Sequence, residues 1–147
     1  MIDSDSRSLG QLVGEVVGGI RRVFYVFRGT VASDFGPVEL SFVSGAHLLL
    51  DVGPDGALLA AALYQWVDPF SDDAMTPENR AFVEKSGKWT AFNVADDPEY
   101  SHLIGATIRS MAPILASSGK LIGIDIKTSR GGIRAEVEFD DLAVRLH

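Results

Sequence analysis

Apolar and polar residues alternate along several short stretches of the chain. Val38, Leu40 and Phe42 are followed by Leu48, Leu50 and Val52; later, Ile122, Ile124 and Ile126 are followed by Ile133, Ala135 and Val137. A period of two puts every second side chain on one face, so these stretches predict half-buried antiparallel strands. The joints carry turn chemistry: Ser44-Gly45 closes the first pair and Ser129-Arg130-Gly131-Gly132 the second, with glycine free to take positive φ. A further strand is expected over residues 57 to 63, after Gly53-Pro54-Asp55-Gly56, and over 142 to 146, after Asp140-Asp141. A longer strand should precede each pair: residues 13 to 27 with a bend at Gly18-Gly19, and 104 to 115 with a break at Pro113.

The two groups are related. Leu12-Val13-Gly14-Glu15-Val16-Val17 falls on Leu103-Ile104-Gly105-Ala106-Thr107-Ile108 at an offset of 91. The offset becomes 84 for residues 38 to 42 on 122 to 126, and 85 for 48 to 52 on 133 to 137. It changes only at turn-rich joints, as in a duplicated unit with loop insertions. The expectation is one α+β domain over 1–147, mostly antiparallel β, built from two duplicated β-meander halves with pseudo-twofold symmetry. Copy one covers about 12–63, copy two about 103–146, and a helical connector 64–102.

In the connector the period changes. Thr76-Pro77-Glu78 offers an N-cap, a proline at the first helical position and an acid in the first turn, and Gly87 supplies a stop. A short helix over 77–86 follows. Ala81, Phe82 and Val83 form its apolar side, which must dock on the sheet because so short a helix cannot stand alone. Residues 89 to 94 have strand composition and should add an edge strand. Residues 96 to 102 should form a capped turn leading into copy two, with residues 3 to 11 playing that part for copy one.

Composition narrows the chemistry. The 147 residues hold 13 Lys+Arg, 20 Asp+Glu and no cysteine, for a net charge of −7. Disulfides, thiolate metal sites and a cysteine nucleophile are excluded. Nine Arg against four Lys, with abundant Ala, Gly and Val, suggests a GC-rich bacterial coding sequence. The acidic, polar start lacks the basic, apolar pattern of a secretory signal, and the apolar run 57–64 is far short of the about 20 residues that span a bilayer. The expected location is therefore the cytoplasm. Charge is uneven: −3 over residues 1–60, −5 over 61–102 and +1 over 103–147. That footprint argues against nucleic acid.

No motif carries a reaction. Glu99-Tyr100-Ser101-His102 has the spacing of one di-iron ligand pair but no second pair. Asp51 to Gly56 resembles the start of an EF-hand loop, yet Ala62 stands where its bidentate Glu belongs, so it reads as a turn. There is no nucleophile elbow and no phosphate-binding glycine pattern. His47 lies by a turn and His147 is the last residue, leaving His102 as the one plausible base. The chain is therefore expected to be no enzyme and to need no cofactor or metal. The leading expectation is a protein-binding module, of the kind that neutralises or inhibits a basic partner, acting through Asp68, Asp72, Asp73, Asp96, Asp97 and Glu99. One alternative is a homodimeric structural or regulatory domain with paired sheet edges. The other is a small-molecule binder with a pocket between the halves where Trp66, Trp89, Tyr100 and His102 converge.

Overall fold

The computed structural model describes residues 9–71 and 75–147. The first sheet contains β1 (Val17–Phe27), β2 (Thr30–Val31), β3 (Val38–Phe42), β4 (His47–Val52), β5 (Leu59–Ala62) and β6 (Lys88–Asn93). The second contains β7 (Ile108–Leu115), β8 (Leu121–Thr128), β9 (Gly131–Glu138) and β10 (Asp141–Leu146). Each half is an antiparallel meander of the same order, β1-β3-β4-β5 and β7-β8-β9-β10. The first half adds β2 on the β3 side of β1 and β6 along its other edge, since Val26 opposes both Val31 and Lys88. Among the described residues one α-helix, α1 (Pro77–Ser86), lies in the chain between β5 and β6.

The inward set of each meander is apolar. Ile20, Leu40, Leu48 and Leu50 meet Ile108, Ile124, Ile126 and Ile133 in a single buried cluster, so the sheets face one another. The duplication is visible in the backbone. Gly14 N donates to Ile108 O (2.9 Å) and Ile108 N to Glu15 O (2.9 Å). Their images are also formed: Gly105 N donates to Val17 O (2.8 Å) and Val17 N to Ala106 O (2.9 Å). Ahead of this dyad each copy makes the same short 3-10 turn, Gly10–Leu12 and Ser101–Leu103. Just after it the register shifts between Val17 and Gly19, and between Ile108 and Ser110, at equivalent positions.

The bend expected at Gly18-Gly19 is thus a bulge. The break expected at Pro113 is not formed: β7 runs through it, with Pro113 opposite Ile124. β7 is an edge strand, and an imide nitrogen facing outward removes no ladder bond. At the end away from the dyad, Gly36 N donates to Leu142 O (2.9 Å), Asp140 lies against Gly56, and Leu121 lines a cavity with residues of the β4–β5 loop. The Gly36 end of the β2–β3 loop and the loops 53–58, 116–120 and 139–140 therefore gather there.

The connector crosses the outer face of the first sheet. Trp66 N donates to Glu39 of β3, and Asp68 pairs with Lys88 of β6. The α1 bounds match the capping signals, with Thr76 Oγ1 accepting from Asn79 N (3.1 Å). The helix lies along β1 but buries none of its side chains; Phe82 stays 52% exposed and stacks on Phe70 at 5.6 Å. No helix among the described residues is long and apolar enough to cross a membrane.

Gly14 and Gly105 hold φ of +95° and +83°, where an L side chain is strained although neither site is crowded. Gly14→Ala and Gly105→Ala should each cost about 1–3 kcal/mol. Denaturant midpoints check this, and the two costs should be similar because the sites are images of one another.

Candidate interaction groove

Arg21 and Arg22 are consecutive on β1, so their side chains leave opposite faces. On the outer face Arg21 forms a fork with Glu39, Nε to Oε1 at 2.8 Å and Nη2 to Oε2 at 2.6 Å, and Nη2 also donates to Trp66 O at 2.9 Å. Glu39 is 1% exposed. Burial alone would raise its carboxyl, but the Arg21 hydrogen bonds, the Trp66 amide and the nearby positive charge outweigh it and hold it below its ordinary value. Beside it Ser41 Oγ lies 3.1 Å from His47 Nδ1. Glu39, the acid next to that pair, is already held by Arg21 and Trp66, so the cluster reads as a structural clasp.

On the inner face Arg22 is 3% exposed and has no carboxylate partner among the described residues. Nη1 donates to Tyr100 Oη (2.8 Å), Nη2 to Asp34 O (3.0 Å) and Gly36 O (3.2 Å), and Nε to Pro37 O (3.4 Å). The guanidinium also lies 4.7 Å from the centre of the Phe24 ring. A buried cation is tolerated when its donors are satisfied, and these are met by one hydroxyl and three carbonyls.

Arg22 thereby ties together the walls of a groove. Phe24 on β1 and Phe92 on β6, with ring centres 5.9 Å apart, lie with Val31 and Val94 along it, and Asp34 and Asp97 border it. The cavity is about 320 Å³. Asp97 is exposed and its carbonyl accepts from Tyr100 N (2.9 Å) and Ser101 N (2.9 Å), fixing the turn that presents it.

The predicted acidic residues divide. Asp96, Asp97 and Glu99 are exposed on this turn. Asp68 is occupied by Lys88 Nζ (2.5 Å) and by Phe70 N (2.8 Å), which makes it a clasp for the connector. Asp72 and Asp73 lie outside the described residues. Of the four pocket residues, Tyr100 and His102 line one cavity, of about 490 Å³, with Glu99 and the end of β10. Trp66 follows the outer-face Arg21, and Trp89 packs on the outer-face Tyr25 at 5.6 Å, so the structure does not bring the two tryptophans to Tyr100. The Asp51–Gly56 segment is a turn, with Asp55 Oδ1 accepting from Ala57 N (3.0 Å). Among the described residues no group of three or more acids and histidines is placed to hold a metal.

Sequence reasoning missed Arg22, Glu39 and the aromatic floor. One signal was available: in any strand, one of two adjacent arginines must face inward. Comparison with protein-family models, with curated proteins and with solved structures finds no match to this chain.

Glu39→Gln should cost about 2 kcal/mol at neutral pH, less than the about 3–5 kcal/mol of a fully enclosed pair because Arg21 is 35% exposed. A carboxyl held low when folded stabilises fully above its ordinary value of 4.5 and loses that contribution as pH falls through the folded value. Melting curves of parent and variant should therefore converge under acid.

Proposed function

We propose that this chain is a non-enzymatic protein-binding module that receives a basic partner on the inner face of the first sheet, where β6 extends it. The observation that carries the reading is the groove with two carboxylates, Asp34 and Asp97, bordering a floor of Phe24 and Phe92. A lysine or arginine side chain is complementary to it: the aliphatic stem or guanidinium plane lies on the rings and the charged head meets the acids. Asp96 and Glu99 on the same turn extend the negative field, and the 61–102 segment carries −5 in all. Such a field steers a positive partner and speeds its arrival at low salt. At about 320 Å³ the groove suits side chains better than a cofactor.

The test uses the immobilised protein to recover partners from the cells that express it, followed by association kinetics on the purified partner. The partner should be basic, elute with salt, and associate more slowly as ionic strength shortens the Debye length below about 10 Å. The double variant Asp34→Asn, Asp97→Asn should lower the on-rate about tenfold at low salt with little change in melting temperature. An acidic partner, or an unchanged on-rate for the double variant, rejects the reading.

A further inference from the structure

The loop end of the sandwich, opposite the dyad, carries three observations that the groove does not use. The first is backbone strain. Among the described residues the non-glycine residues with positive φ are Arg28 (51°), Phe139 (51°) and Asp140 (65°), and the last two form the β9–β10 turn at this end. A two-residue hairpin turn requires positive φ at both central positions, which Asn-Gly meets at least cost; here the β9–β10 turn is Phe139-Asp140. Strain of this kind persists where the surroundings enforce it and concentrates at working surfaces.

The second is exposure. Phe139 is 93% exposed, so its ring adds nothing to the core that would offset the strained backbone. The third is the surface beside the turn. Asp140 lies against Gly56 of the β4–β5 loop, and that loop borders an apolar cavity of about 350 Å³ lined by Gly53, Pro54, Leu58, Leu59, Ala60 and Leu121. Its volume is near the lower bound of about 300 Å³ for ligand sites, room for one or two side chains of a docked segment.

Charge selects the occupant. Asp55 lines this cavity, Asp140 lies against Gly56, Asp141 neighbours Asp51, and Lys120 precedes the lining Leu121. Glu138 is already paired with Arg145 at 2.6 Å. Burial raises the Asp51 carboxyl, opposed by the Val52 amide and helped by the neighbouring Asp141. A second copy would bring two such rims together and be repelled. We infer that the loop end is a second interaction surface, on which a partner segment docks an apolar side chain flanked by lysine or arginine into the Leu58–Leu121 cavity, with the Phe139 ring closing over it.

The test uses a defined probe, acetyl-Lys-Leu-Phe-Lys-amide, titrated into the full chain and followed by amide chemical shifts. Shifts are expected at residues 53–60, 119–121 and 138–142, and should be absent with the Glu-Leu-Phe-Glu counterpart. Phe139→Asn tolerates the left-handed backbone, so it should raise the melting temperature while weakening the probe at least tenfold. Asp34→Asn with Asp97→Asn, which disables the groove, should leave these shifts unchanged, so the two surfaces succeed or fail separately. The inference is overturned if the probe leaves the loop end unshifted, if Phe139→Asn binds it equally well, or if benzoylphenylalanine placed at position 139 crosslinks two copies of this chain.

Discussion

Everything in this molecule depends on burying two one-sided sheets against each other. Neither meander can leave the row formed by Leu40, Leu48 and Leu50, or by Ile124, Ile126 and Ile133, in water, and each supplies the other's cover. Hydrophobic burial is non-directional, so the relative placement must come from elsewhere. It comes from the four amide bonds exchanged between residues 14–17 and 105–108, which join the halves as an antiparallel bridge about a local twofold. Positive φ at Gly14 and Gly105 turns each chain from its 3-10 turn into that bridge, and the following bulge turns it again into the sheet. Two glycines and two bulges at matched positions thus convert a repeated sequence into a repeated structure.

The duplication then diverges at one position. Val94 N donates to Ile20 O, while Val23 N donates to Pro37 O; the even residues of β1 therefore direct their backbone groups to β6 and the odd ones to β3. Arg22 is an even residue, and its image at the offset of 91 is Pro113. The first half has an amide available for a further strand where the second has a proline ring. Proline on the free edge of β7 also removes a donor that another chain would need, which protects the edge from pairing. The same substitution explains why the aromatic groove exists in one half only: it lies where β6 extends the sheet past its partner, and Arg22 packs on Phe24 of its floor.

The strands, the hairpins, the duplication and α1 were legible because each rests on local pattern. Alternation marks the buried face, Thr76-Pro77 and Gly87 bracket the helix, and the offsets of 91 for β1 on β7 and 85 for β4 on β9 match the ladders, whereas β3 lies on β8 at 86 and not at the expected 84. Pro113 misled because proline forbids a donor, not a strand, and only the sheet order shows that its nitrogen points outward. The site was less legible. Acidic residues look alike in a sequence, yet Asp68 is consumed by Lys88 while Asp97 stands free beside two phenylalanines. Phe24 and Phe92 are far apart in the chain and meet only because β6 returns to β1. Phe139 reads as one more apolar residue until the register puts it at a turn tip.

What makes the groove more than an acidic rim is how firmly it is held. An exposed carboxylate on a mobile loop loses conformational entropy when a partner arrives, and that loss offsets much of the attraction. Asp97 sits on a turn whose carbonyl accepts two amides, and the tyrosine three residues later inserts its hydroxyl against Arg22. Arg22 in turn grips the carbonyls of Asp34 and Gly36 on the opposite wall. Both bordering acids are therefore positioned by one buried guanidinium whose own charge is compensated by dipoles. The guanidinium behind Phe24 fixes the geometry of the walls, and the carboxylates at the mouth face whatever approaches from solvent.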